Sequence, residues 1–588
     1  MTAFAQHFLH ALDRQEEALA RYAHAIRLNP QYADAWFNQA NTLKSLGRLE
    51  AALASYDKAI HSKPDYAGAH FNRGNVLQTL ARFEEAAASY TRAIRIRPAW
   101  VQAYFLKAEV LNALKRFGAA LACYNKIIAI APEYAAAFIN RGIVLNKLKR
   151  YEEALASYDR AITLLPDSHE AYSNRGNILK ELNRLEDALA SVDKAISLQP
   201  TFSQAHSNRG NTLMKMLRFE EALQSYDAAI GIRPEYPQAY SNRGNALKQL
   251  KRLNEALVSY EKAVALKPEY ADAHWNLSLC HLLAVNYPAG WQEYEWRWQN
   301  AEVGKVAGIR NFSAPLWLGK EPLKGKTILL YAEQGLGDTL QFCRYVPLVA
   351  GMGATIILEV QPALVELLKC LEGVSRIISK GDTLPVVDLQ CPLLSLPLAF
   401  ITAPATIPAA TSYLYNDKQK VTEWQELLGS KTRPRVGVVW SSVSGFNSDA
   451  GRSMPLATFL SALPKNGFDY ICLQKEIRDS DRETLEASPH IRFTGNRLND
   501  FSDTAALIDS VDLVISTCTS VPHLSCALGK PTWLVLAHVP DWRWLLDRKD
   551  SPWYPTVKLY RQDKAGQWGT VLGRIKQDLT DYLNMPDP

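Results

Sequence analysis

Eight prolines, Pro30, Pro64, Pro98, Pro132, Pro166, Pro200, Pro234 and Pro268, recur at a spacing of 34 residues. Nothing else in the chain restricts its fold so strongly. A fixed period of this size means one small unit stacked on copies of itself. The text between the prolines repeats too: Ala-Tyr-Ser-Asn-Arg-Gly-Asn stands at 171–177 and again at 239–245. Each unit carries a second helix such as Glu152–Ile162, and the proline after it stops that helix. Gly74, Gly142, Gly176, Gly210 and Gly244 let helices approach closely, as do Ala52, Ala86, Ala120, Ala154, Ala188, Ala222 and Ala256. Tyr56, Tyr90, Tyr124, Tyr158, Tyr226 and Tyr260 fill the space between units. One unit cannot bury its own apolar face, so the array is expected to be solenoidal and cooperative.

Period and pattern resemble the tetratricopeptide repeat, a helix–turn–helix unit. The resemblance implies an α-solenoid over residues 1–299, with an incomplete unit at 3–29 and a diverging one at 269–299. That last unit ends in the aromatic run Trp291–Trp298, read as the seam to whatever follows. Asn38, Asn72, Asn140, Asn174, Asn208, Asn242 and Asn276 share one repeat position, and Asn41, Asn75, Asn177, Asn211 and Asn245 lie three residues on, on the same helix face. Two readings stand for this amide ladder. It grips an extended acceptor peptide, since an amide both donates and accepts, or it bonds between units. Arg73, Arg175, Arg209 and Arg243 follow Asp57, Asp159, Asp193 and Asp227 by sixteen residues, which predicts structural Arg–Asp pairs between neighbouring units.

Composition narrows the rest. The net charge is +6 over 588 residues, too small to argue for nucleic acid. Eight cysteines without C-x-x-C pairs fit neither a zinc site nor a disulfide framework. The first residues lack a basic stretch followed by an apolar core, and no apolar run is long enough to span a bilayer. The expectation is a cytoplasmic protein with reduced thiols and no membrane span.

After a linker at 300–326, rich in Pro and Gly, strand–helix alternation begins. Expected strands are Thr327–Tyr331, Ala354–Val360, Arg376–Ile378 and Val386–Leu389, with helices at Thr339–Gly351 and Pro362–Leu371. A second break at Ser430–Arg435 precedes strands Val436–Trp440, Tyr470–Leu473, Ile491–Phe493, Leu513–Ile515 and Thr532–Leu536. Such alternation implies parallel sheets, here two Rossmann-like domains at 327–430 and 431–588 with a cleft between them. Asp338 stands where the first strand hands over to a helix, beside Gly335 and Gly337. In open α/β sheets that crevice binds ligands. As a dinucleotide fingerprint the turn is weak, because Leu340 holds the third glycine position; as a phosphate loop it fails, because no Gly-Lys-Ser/Thr follows.

Glu333-Gln-Gly-Leu-Gly-Asp338 resembles the Gly-Asp turn of heptosyltransferase-like bacterial glycosyltransferases. The stretch Val511–Pro531, with Cys518-Thr519-Ser520, His523-Leu524 and Leu528-Gly-Lys-Pro531, resembles their second hallmark. Together with the repeats and the Pro540–Pro555 segment, the layout resembles bacterial tetratricopeptide–glycosyltransferase fusions and is similar to that of O-linked N-acetylglucosamine transferases. The resemblance implies a GT-B fold and inverting, metal-independent transfer from a nucleoside-diphosphate sugar, which is a co-substrate; no cofactor is implied. It makes Asp338 the general base and places Gly337 beside the acceptor. Donor contacts would come from Ser441 and Ser442, the cation Arg452, Lys475 and Glu476 near the nucleoside, and Asn499 to Phe501 at the base. The turn Thr519–His523, at a helix N-terminus, would hold the diphosphate. Asn140, Asn174, Asn208, Asn242 and Asn276 would bind the acceptor protein, with flagellin or another surface protein as the analogy.

Each assignment has a plainer counterpart. Asp338 can cap a helix, His523 can pack, Arg452 can sit in a solvated loop with Asn447–Gly451, and Trp542 and Trp544 can be core. Asp479-Ser-Asp481 mimics a metal-binding motif but sits at a helix start, where capping explains it. One departure matters: where the family has Asp and Gly, this chain has Cys518 and Ser520. A thiol is a poor acceptor for a sugar hydroxyl. A non-catalytic scaffold, or transfer to a glycan or lipid core, therefore stand as alternatives to a protein O-glycosyltransferase.

Overall fold

A computed structural model describes residues 3–308, 310–442 and 452–583. The chain divides into two compact units, Met1–Arg233 and Pro234–Pro588. About 17 helices form the first half, beginning with Ala3–Leu28 and ending with Tyr287–Tyr294.

Within Met1–Arg233 the repeat period sets every local feature. The second helix of each unit ends two residues before its proline, as in Leu49–Ser62 ahead of Pro64. Lys63 between them is extended, the conformation a following proline enforces. The first helix of each unit ends at a left-handed residue. Gly47 fills that place once, but Ala81, Lys115, Lys149, Asn183 and Leu217 fill it afterwards, with φ between 57° and 61°. The close approach expected of the glycines is present: a Cβ added at Gly210 would lie 2.5 Å from a ring carbon of Tyr226. The repeat containing Gly210 therefore predicts two effects of opposite sign. Gly210→Ala should cost about 1–3 kcal/mol through overpacking. Leu217→Gly should gain about 1 kcal/mol by relieving the left-handed backbone. Urea melts of the two variants would check both signs.

The Arg–Asp pairs form as expected. Arg73 Nε donates to Asp57 at 2.7 Å, Arg175 to Asp159 at 2.6 Å and Arg209 to Asp193 at 2.8 Å. Part of the amide ladder is engaged by the array itself. Tyr56, Tyr90 and Tyr226 donate their hydroxyls to Asn41, Asn75 and Asn211 at 2.6–2.8 Å. Asn72 donates to Asn41 at 2.9 Å, and buried Asn208 to Ser173 at 2.9 Å. Asn140 donates back to the Ala136 carbonyl at 2.9 Å. Asn140 and Asn208 thus each spend an amide N–H inside the array.

In Pro234–Pro588 the last repeats lead into two parallel sheets. The first has order β3-β2-β1-β4, with β1 Thr327–Tyr331, β2 Thr355–Val360, β3 Val374–Ser379 and β4 Leu389–Pro392. The second has order β10-β9-β8-β5-β6-β7, with β5 Arg435–Val439, β6 Asp469–Cys472, β7 Ile491–Phe493, β8 Leu513–Thr517, β9 Thr532–Leu536 and β10 Val557–Arg561. Counted within itself, the second sheet runs 3-2-1-4-5-6, the doubly wound order with a switch point between its first and fourth strands. The first sheet switches between β1 and β4 in the same way.

Four expectations needed correction. β4 lies three residues later than Val386–Leu389, because the Asp388 carboxylate accepts the Thr327 N–H at 2.7 Å and caps the strand start. The helix expected at Thr339–Gly351 begins at Leu336 and breaks at Cys343–Tyr345, ahead of Pro347, which lacks an N–H. The helix expected at Pro362–Leu371 shrinks to a turn, Pro362–Leu364, and Val365–Leu368. β10 had no counterpart in the sequence reading. The stretch at 300–326 is partly built in: Trp317 is fully buried, and its N–H donates to the Gln390 carbonyl of β4 at 2.8 Å.

Candidate functional site

The residues following β1, β5 and β8, at the switch points, converge on one region. The turn after β1 carries Asp338 on the first turn of the Leu336–Phe342 helix. One carboxylate oxygen accepts the Gly335 N–H at 3.0 Å, and the other accepts Arg543 Nη2 at 2.5 Å. Arg543 is buried and also donates to Asp541 at 2.9 Å and to Gln341. Burial opposes its charge, but Asp541 and Asp338 outweigh burial and raise its pKa. The guanidinium lies 4.4 Å from the Trp542 ring centroid. Asp338 thus bonds its own turn, as a capping residue does, while its second oxygen pairs with the other sheet's side.

Gly337 makes room for a neighbour rather than contacting open space. A Cβ there would lie 2.9 Å from His523 Cδ2 and 3.4 Å from Ser520 Cα. His523 itself is buried; Nδ1 and the Tyr554 hydroxyl are 2.8 Å apart, and its ring lies against Trp544. Burial, then the nearby Arg543, pulls its pKa down to about 3, so the imidazole is neutral. It lines neither of the cavities described below.

Eight of the expected donor residues line one cavity of about 290 Å³: Ser441, Ser442, Lys475, Glu476, Asn499, Phe501, Thr519 and Ser520. Leu336 and Ala363 close it from the first sheet's side. The residues are held from below. Gln474, which no sequence motif marks, accepts the Trp440 N–H at 2.8 Å and donates to Ser441 Oγ at 3.2 Å. Lys475 Nζ donates to the Asn499 carbonyl at 3.0 Å. Asp500 caps the Phe501–Asp509 helix through the Ser502 N–H at 2.7 Å. Thr519 precedes the Ser520–Ala527 helix, and its hydroxyl is shielded from solvent without a hydrogen-bond partner.

Arg452 and Cys518 line a second cavity, of about 230 Å³, with Lys248, Asp541 and Trp542. Cys518 Sγ accepts the Trp544 indole N–H at 3.2 Å, and burial raises its pKa, so it is a neutral thiol. Residues 443–451, which include the polar stretch before Arg452, lie outside the described residues. Asp481 serves the scaffold, accepting Trp440 Nε1 at 3.0 Å and the Leu456 N–H at 2.9 Å. Of the ladder residues here, Asn242 and Asn276 are half-buried on the last repeats, as Asn174 is within the Met1–Arg233 unit.

Trp542 and Trp544 are core, with exposures of 3% and 0%. The aromatic run at 291–298 is the seam expected of it. Trp291 packs edge-on to Trp542 at 5.2 Å between centroids and donates to the Thr402 carbonyl at 3.1 Å. Arg297 is fully buried there, donating to Glu295 at 2.6 Å, Ser395 at 2.7 Å and Glu333 at 3.1 Å. Arg344 ties the two sheets' segments, donating to the Trp553 carbonyl at 2.6 Å and the Tyr413 hydroxyl at 2.9 Å. None of these arginines was singled out in the sequence. Their only signal there is a cation inside an apolar or aromatic run, a context that forces pairing on burial.

Glu333 yields a pH prediction. It is buried, one oxygen lacks a partner, and Arg297 is shared with Glu295. Burial pushes the carboxyl from 4.5 up to about 7, against the pull of Arg297. The folded chain therefore keeps a proton that the unfolded chain releases. This contribution to stability is present below about 4.5 and is lost as pH rises through about 7. Between those limits the wild type should lose roughly 3 kcal/mol relative to Glu333→Gln. Denaturant melts of both at pH 5 and pH 8 would show it, and parallel curves would contradict it.

Comparison with known proteins bears on the first half. Tetratricopeptide-repeat family models match residues 22–54, 71–135, 135–168 and 169–202, and a TPR-repeat model matches 40–80, 218–251 and 244–282. Protein FlbA of Caulobacter vibrioides is 28% identical over 326 residues, 50% of this chain and 52% of the relative. The chain thus spans about half the length of that curated relative. Among solved structures, YrrB, described as a TPR protein with an unusual peptide-binding site, is 28% identical with a TM-score of 0.30, covering 31% of this chain and 95% of its own. A tetratricopeptide repeat protein of Parabacteroides merdae is 18% identical with a TM-score of 0.38, covering 42% and 98%. No helix among the described residues is long and apolar enough to cross a membrane. The first half of the chain is an α-solenoid of tetratricopeptide repeats, and the region that follows it is built on parallel sheets.

Proposed function

We propose that the chain is an inverting, metal-independent glycosyltransferase of GT-B type, moving a sugar from a nucleoside-diphosphate sugar to Ser or Thr of an acceptor protein held by the repeats. The observation that carries this reading is the cavity after β5 and β8, which gathers eight donor-type residues and is closed by Leu336 of the turn that bears Asp338. A doubly wound sheet binds ligands at its switch point, and a helix N-terminus with unspent donors suits phosphate. Asp338, half-buried two residues beyond the cavity residue Leu336, is in this reading the carboxylate that takes the acceptor's proton. The repeats are protein-binding modules in this reading, with flagellin-like surface proteins as candidate acceptors.

A specific observation favours the alternative of a non-catalytic scaffold. Cys518 replaces the family's acidic residue and is engaged by Trp544, while Asp338 is engaged by Arg543. A thermal-melt screen against UDP-, GDP-, CDP- and CMP-sugars separates the two. A sugar nucleotide present at a hundred times its dissociation constant should add about 2.7 kcal/mol. No shift with any of them would leave the scaffold reading standing.

A further inference from the structure

The second cavity contains a cation that the reading above does not use. Lys248 lies on the Pro237–Gln249 helix of a late repeat, yet it shares a cavity of about 230 Å³ with Arg452, Cys518 and Asp541 of the parallel-sheet region. Its ammonium makes no hydrogen bond or ion pair among the described residues; the side chain is half-buried, and Leu279 and Leu283 are among the cavity's other walls. Its apolar surroundings pull its pKa below that of an ordinary lysine, and Cys280 and Asp541 only partly offset this. Asp541 is already held by Arg543 at 2.9 Å and approached by Arg452 at 4.0 Å. A half-buried ammonium without a partner, in a cavity that also holds Arg452, is a site for an external anion.

The two cavities flank one turn. Cys518 lines this cavity, and its neighbours Thr519 and Ser520 line the other. A nucleoside seated among Phe501, Asn499 and Ser441 would direct its phosphates past that turn. We infer that Lys248 binds the diphosphate of the donor, so that a lysine supplied by the repeat array completes the donor site. This rests on the sugar-nucleotide reading of the first cavity. It gives the late repeats a part in donor binding, beyond holding an acceptor.

The test is calorimetric titration of the full chain with UDP, GDP and CDP, and with the corresponding nucleosides. Lys248→Gln should weaken the nucleoside diphosphate that binds by about 10- to 100-fold, the range for losing a charged hydrogen bond. Nucleoside affinity should not change, and Lys248→Arg should retain binding. If Lys248→Gln folds poorly, Lys248→Met, which keeps the apolar stem packed, takes its place. Equal affinity of wild type and Lys248→Gln or Lys248→Met would overturn the role of Lys248 alone. A wild type that binds no nucleoside diphosphate would overturn the donor reading and this inference with it, so the two failures are distinguishable.

Discussion

Arg543→Ala should cost the Pro234–Pro588 unit about 3–5 kcal/mol, the range for removing one member of a buried ionic group. The cost arises because the guanidinium serves three acceptors at once. It joins Asp338 at 2.5 Å, Asp541 at 2.9 Å and Gln341, and it stacks on Trp542. Without it, Asp338 and Asp541, both largely withdrawn from solvent, lose the cation they share, and one must take up a proton or the segments must part. Arg543→Lys should recover only part of the loss, since a point charge on a flexible stem cannot serve three separated acceptors in the plane of a fork. Denaturant melts followed by tryptophan fluorescence fit the question, because Trp542 and Trp544 flank the substitution. A loss below about 1 kcal/mol for Arg543→Ala would show that the charges are solvated and that the cluster is no keystone.

The second large effect concerns chemistry. Asp338→Asn should lower sugar transfer by about 10²–10⁴-fold, the usual range for losing a positioned base. Nucleotide affinity should not change. An asparagine oxygen can still accept either the Gly335 N–H or Arg543, so the turn keeps its shape while the basic oxygen is lost. The readout is release of nucleoside diphosphate from the sugar nucleotide, with and without acceptor, alongside the affinity for that nucleotide. Unchanged turnover would remove Asp338 as the base. Loss of nucleotide affinity would instead assign the residue to the scaffold that holds Arg543.

How much of this was legible in the chain depends on the range of each interaction. The solenoid is written locally: a proline every 34 residues, small residues at one helix face and tyrosines at the next. The Arg–Asp pairs are equally local in this sense, sixteen residues apart in each repeat that carries them, and the structure forms them at Asp57–Arg73, Asp159–Arg175 and Asp193–Arg209. Which ladder amides serve the array is hidden in the sequence, because an asparagine's partner is not visible from its own position. The missing clue was nevertheless present, since a tyrosine recurs fifteen residues after Asn41, Asn75 and Asn211 and donates to each.

The parallel-sheet region shows the opposite case. Its strands other than β10 could be placed to within a few residues by their apolar runs, but β4 shifted because a side chain, Asp388, capped its start. Arg543 could not be recognised as a partner of Asp338, because 205 residues separate them and its neighbours Trp542 and Trp544 read as an aromatic patch. Gly337 reads as a turn residue or an acceptor contact. Only the fold shows that His523 stands where its side chain would be.

In the glycosyltransferase reading proposed above, a nucleoside diphosphate occupies the cavity between Ser441, Asn499 and Thr519. Asn499 is exposed at its wall, so Asn499→Trp would fill the space with little demand on the core. The deciding measurement is the dissociation constant of the nucleoside diphosphate for the full chain and for Asn499→Trp, taken with their melting temperatures. The account predicts tight binding to the wild type and at least a roughly tenfold loss in the variant, a difference of about 1.4 kcal/mol, at unchanged melting temperature. Equal dissociation constants would place the ligand elsewhere and contradict the account.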